Sequence, residues 1–248
     1  MRRGLLLGTG ASVVALAGFG VMVHNDRPQT APSVPRKLRV VLIDSSDKNT
    51  AVQDRLISRI VEQEAVKDLN EGDRLILLGL SADQYEPLEE RFNQVSPPRA
   101  SDASPWTSNL EQLEATWRSE FLETYIKDTR DLREIVEKRQ TPFLEGLMQI
   151  SSILQQYDAE EKSVIIVSDA LQHIRGGLSA YTQAASRSVL NMPTNIAGFY
   201  APQFSGTSIR LIHIKRNQTQ RLQGSEHRAW IDQVFLKYGA NFEYVPLA

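Results

Sequence analysis

Three short apolar runs constrain this chain more than any other feature. They are residues 38–43 (LRVVLI), 74–79 (RLILLG) and 163–167 (SVIIV). Each lacks polar alternation and is dominated by leucine, isoleucine and valine. Runs of this kind are strands covered on both faces, and a sheet covered on both faces is parallel or mostly parallel, with helices on either side. Between the first two runs, Thr50 and Gln53 have the spacing of a capping box. Val52, Leu56, Ile57, Ile60 and Val61 then repeat at helical spacing, through about Asp68. Asn70-Glu71-Gly72 stops that helix before the second run. Strand, helix and strand form one βαβ unit, so the expected fold is α/β: a doubly wound, mostly parallel sheet flanked by helices.

The remaining stretches fit this layout. Residues 83–140 form a long polar segment read as a helical insertion, with loops around Ser96-Pro97-Pro98 and 101–105 and strong helix propensity over 109–139. Within it Leu113, Trp117, Phe121, Leu122, Tyr125 and Ile126 make an apolar stripe. The stripe packs on the domain flank or, through Leu113, Trp117 and Phe121, docks a partner. Thr141-Pro142 predicts a new helix with threonine as its cap, carrying Phe143, Leu147, Ile150 and Leu154 inward. A helix over 179–190, strands over 195–200 and 209–214, a helix over 226–238 capped by Gly239, and a last strand over 242–245 complete the pattern.

The N-terminus reads as an export signal. Arg2 and Arg3 precede residues 4–23, a run without a charged side chain. As a helix that run spans roughly 30 Å, the thickness of a bilayer core. It extends past Ala15-Leu16-Ala17, a candidate cleavage site, which favours an uncleaved anchor over a signal peptide. The basic flank keeps the N-terminus inside and sends the rest across. The expected organisation is therefore 1–24 anchor or signal peptide, 25–37 proline-rich tether, and 38–248 domain. The domain would sit in the periplasm on an inner-membrane anchor, or be secreted if the segment is cleaved.

Composition removes several functions. The chain has no cysteine, which excludes disulfides, thiolate metal sites and cysteine nucleophiles. Its 4 histidines have no ligand spacing. A net charge of −2 without a basic block argues against nucleic-acid binding. There is no P-loop, no Gly-x-Gly-x-x-Gly and no Gly-x-Ser-x-Gly elbow. Position 46 is serine where a haloacid-dehalogenase phosphatase has its second aspartate. Asp44 and Asp47 would repel the phosphate of a flavodoxin-type loop.

In an open parallel sheet, ligands bind beyond the carboxyl ends of the strands. There the sequence places Asp44, Ser45, Ser46 and Asp47 after the first run and Ser168-Asp169 after the third, with Thr141 opening the helix that leads into it. Two carboxylates with several hydroxyls make a hard oxygen set, suited to Mg²⁺ or Mn²⁺; the same residues are also common caps and turn formers.

At these residues the chain resembles a von Willebrand factor A-type domain, whose metal-ion-dependent adhesion site combines Asp-x-Ser-x-Ser, a central threonine and a later aspartate. Asp44 and Ser46 match the first two positions, Thr141-Pro142 resembles the threonine element, and Asp169 the last aspartate. Lys48 replaces the second serine. The resemblance covers roughly 38–248 and implies a Rossmann-like sheet, a degenerate metal site at Asp44, Ser46, Thr141 and Asp169 modulated by Asp47 and Lys48, and binding of a protein partner. Turned inward, the Lys48 ammonium would stand where a metal stands; turned outward, it would weaken metal binding by repulsion. The expected function is a membrane-tethered exported binding or assembly module, not an enzyme. The alternative is an exported hydrolase with a metal at Asp44 and Asp169.

Overall fold

The computed structural model describes residues 35–81, 85–104, 109–134, 140–174, 179–180 and 202–247. The anchor at 1–24, nearly all of the tether, the strand expected at 195–200 and most of the helix expected at 179–190 lie outside the described residues. Among the described residues no helix is long and apolar enough to cross a membrane.

Six strands form one sheet: β1 (Lys37–Ile43), β2 (Arg74–Gly79), β3 (Glu89–Val95), β4 (Glu161–Ser168), β5 (Thr207–Ile214) and β6 (Asn241–Leu247), in the order β3-β2-β1-β4-β5-β6. All pairings are parallel except β2–β3. The described helices are α1 (Ala51–Ser58), α2 (Leu110–Thr116), α3 (Glu123–Glu134), α4 (Phe143–Gln156) and α5 (Ser225–Lys237). α1 continues into a π-helical turn at Arg59–Glu64, and another at Trp117–Leu122 joins α2 to α3.

The double-sided burial expected from the apolar runs is literal. Along β1, Leu38, Val40 and Leu42 enter one core with α4 and α5, while Val41 and Ile43 enter the other with α1 and the insertion. Alternation of side chains across a strand sends neighbours to opposite faces, so both must be apolar. The capping box at Thr50 and Gln53 is formed. At Gly79 a Cβ would meet Leu132 Cδ1 at 2.5 Å, so a side chain there would make the Leu132 tip shift where α3 lies against β2.

Two details differ from the sequence expectation. β3 lies inside the segment read as a helical insertion. Its sequence, EERFNQV, buries only Phe92, and such a polar, charged strand belongs at an edge, where it resists pairing with other chains. Thr141 does not cap α4 through its side chain. Its backbone bridges His173, and Gln172 Oε1 accepts the Leu144 N–H at 2.9 Å instead. A side chain from the loop after β4 thus satisfies the start of α4, a long-range partner that local spacing cannot reveal.

Candidate functional site

The strand order reverses between β1 and β4, and the loops leaving their carboxyl ends lie side by side. Register carries Ile43 to Val167, and the Asp44 N–H donates to the Val167 carbonyl at 2.9 Å. Asp44 and Asp169 are therefore the first residues beyond two adjacent strands, each only 2% exposed.

Both carboxyl groups are held by the protein. Ser168 Oγ donates to Asp44 Oδ2 at 2.7 Å, and the Ser46 N–H donates to Oδ1 at 3.0 Å. Ser168 Oγ also accepts the Ala170 N–H at 2.9 Å, and Leu171 N–H donates to Asp169 Oδ1 at 3.0 Å. Ala170 has φ +55°, a left-handed conformation that costs a non-glycine residue about 1 kcal/mol or more, and these bonds on either side of it hold the strain. Burial first, and the Asp44 charge second, push the Asp169 carboxyl up to about 7.

The cation here is one the sequence reading did not include. Arg216, two residues past β5 and 8% exposed, places Nε 3.9 Å from Asp169 Oδ2. Its Nη1 donates to the Lys48 carbonyl at 2.7 Å and to Asn49 Oδ1 at 2.8 Å. Lys48 and Asp47 are exposed. The inward ammonium considered for Lys48 is thus corrected: its backbone is what the site holds, and a guanidinium from β5 supplies the charge. Strand-end position after residues 209–214 was the available signal for Arg216.

Asp44, Ser46 and Asp169 lie at the neighbouring carboxyl ends of β1 and β4. Thr141, just before α4, is buried, and its backbone bonds to His173 of the post-β4 loop and not to either aspartate. Trp117 and Phe121 are buried in the core of their own domain, and Leu113 is half-buried, so the stripe offered to a partner is occupied internally.

Below Asp169 sit two histidines. His213 Nε2–H donates to the Asp169 carbonyl at 3.0 Å, and its Nδ1 accepts from Tyr244 Oη at 2.8 Å. His227 Nε2–H donates to the Ala170 carbonyl at 3.0 Å. Burial, then the neighbouring His227, pulls His213 down to about 4. The unfolded chain takes up this proton near pH 6.5 and the folded one does not until about 4, so His213 lowers stability as pH falls between those values. The loss is on the order of 3 kcal/mol. Asp169 contributes a slope of opposite sign, so the measurement is the difference between wild type and His213→Gln in denaturant melts at pH 7 and pH 4. That difference should shrink on acidification.

The residues present do not fit a divalent cation. Two buried aspartates face the site, and Lys48 stands where the motif has its second serine. A guanidinium already lies 3.9 Å from Asp169. Among the described residues no group of three or more His, Asp or Glu side chains gathers as metal ligands would.

No family model matches the chain, and no curated protein matches it. Among solved structures it is similar to the D319A mutant of the PilB minor pilin from Streptococcus sanguinis, at 10% identity and TM-score 0.47, over 89% of this chain and 59% of that one. It is also similar to the human COPII-coat protein Sec24c, at 11% identity and TM-score 0.45, over 88% of this chain and 30% of that one. BatB from Bacteroides thetaiotaomicron follows at 13% identity and TM-score 0.37, over 85% of this chain and 89% of that one. The chain thus spans less than two thirds of the first two.

Proposed function

We propose that this chain is a von Willebrand factor A-like binding module, tethered to a membrane and exported, which engages a protein partner at the carboxyl edge of its sheet without catalysis. The observation that carries the reading is the way the two aspartates are used. Both are buried at the point where strand order reverses, and both bond inward to Ser168, Ser46 and Leu171. A general base must reach its substrate. Asp169 has the raised pKa of one but is 2% exposed. What the edge presents outward is Asp47 and Lys48, on a loop fixed from beneath.

The test places a photoreactive side chain at position 48 of the full-length chain in its native cell, with position 111, exposed on α2, as control. The expected result is a partner adduct from position 48 and none from 111. Lys48→Glu should then weaken partner binding by about tenfold or more with unchanged melting, an effect of roughly 1.4 kcal/mol at a central contact. Adducts from 111 alone, or hydrolytic turnover abolished by Asp169→Asn in a folded chain, would overturn the reading. A reporter fused after Ala248 should be active only on the exported side; activity in the cytoplasm would remove the export claim.

A further inference from the structure

We infer that Arg216 is the resident cation of this strand-end site, a guanidinium that ties three loops together where a divalent ion would otherwise be required. The inference concerns what organises the edge and does not depend on which partner binds there.

Three strands deliver their ends to the site. Asp44 lies one residue past β1, Asp169 one past β4 and Arg216 two past β5. The guanidinium reaches the first loop through Lys48 O and Asn49 Oδ1, and faces the second through Asp169 Oδ2. Its own loop is fixed in turn. Arg216 N–H donates to Gln223 Oε1 at 2.8 Å, and Gln223 Nε2 donates to the Ile214 carbonyl at 2.8 Å. Gln53, from the first turn of α1, donates to the neighbouring Lys215 carbonyl at 2.8 Å. A buried guanidinium is expensive to desolvate and stays charged, so it needs a facing carboxylate. The Arg216 Nε, buried without a hydrogen-bond partner, is the atom turned towards Asp169. Lysine could not do the same, because a single ammonium has no planar fork to reach two loops at once. A divalent ion added beside the two aspartates would meet this fixed positive charge, and like charges repel. One consequence is that the edge is built before any partner arrives and does not vary with the supply of metal.

The experiment uses the full-length chain in mild detergent. Mg²⁺ and Mn²⁺ are titrated calorimetrically to about 10 mM, above the range of weak extracellular cation sites, and melting is recorded with and without EDTA. No saturable heat and no EDTA effect are expected. In parallel, amide exchange is compared between wild type and Arg216→Gln, which keeps an amide donor but loses the charge. Amides of residues 44–49 should exchange about tenfold faster in Arg216→Gln, while those of β2 stay unchanged. Saturable ion binding by the wild type overturns the inference, and this arm needs no variant to fold. Wild-type protection of residues 44–49 in Arg216→Gln overturns it as well. Neither result bears on whether a partner cross-links at position 48, so the two readings fail separately.

Discussion

Trp117→Ala should destabilise the domain by about 3–5 kcal/mol, the range for truncating a buried tryptophan. Trp117 is 4% exposed, its Nε1–H donates to Ser96 Oγ at 3.2 Å, and the Arg99 guanidinium lies 3.9 Å over its ring. Behind it Phe121 packs edge-on against Phe92 at 5.3 Å, and Tyr125 meets the same ring at 5.3 Å while donating to the Val61 carbonyl. Deleting the indole opens a cavity and leaves the Ser96 hydroxyl without its donor. Urea unfolding followed by circular dichroism measures the loss. A change under about 1 kcal/mol would mean that the insertion is peripheral to stability.

Arg133→Met should cost about 3 kcal/mol, at the lower end for removing one partner of a buried ion pair. Arg133 reaches from α3 to Glu62 Oε1 at 3.4 Å and to the Asp54 carbonyl and carboxylate at 3.0 Å each. Its side chain and that of Glu62 are 13% and 10% exposed. Arg130 stays on Glu62 at 3.1 Å, which moderates the loss. Glu62→Leu combined with Arg133→Met should recover part of it, since two apolar groups leave no buried charge behind. A double variant as weak as the sum of the singles would show that the two side chains act independently.

The β1-α1-β2 unit was legible because its signals are local. Apolar runs, a capping box spanning four residues and a stripe at helical period need no distant partner. β3 was not legible, since EERFNQV carries one inward apolar residue and looks like a solvated loop. Its strand character comes from the open edge of β2, which only the assembled sheet provides. At the site, Asp44, Ser46 and Asp169 were readable as residues that follow strands. Their setting was not. Ser168 bonds Asp44 across 124 residues, and Arg216 holds Asn49 across 167. Gln172 replaced Thr141 as the side chain serving α4 for the same reason. Nothing in the one-dimensional spacing distinguishes a threonine that caps from one that bridges a neighbouring loop.

The adjacency of β1 and β4 has a kinetic consequence. Lys37 pairs with Glu161, so the two middle strands of the sheet come from distant parts of the chain. During synthesis β1, β2 and β3 emerge well before β4 does. They can form a half-sheet whose free border is β1, among the most apolar strands of the molecule. Closing so long a loop is slow, and an unpaired apolar border is where a nascent chain sticks to its neighbours. Refolding of the intact domain should therefore be limited by arrival of β4, and a chain stopped before residue 161 should be held by chaperones or aggregate.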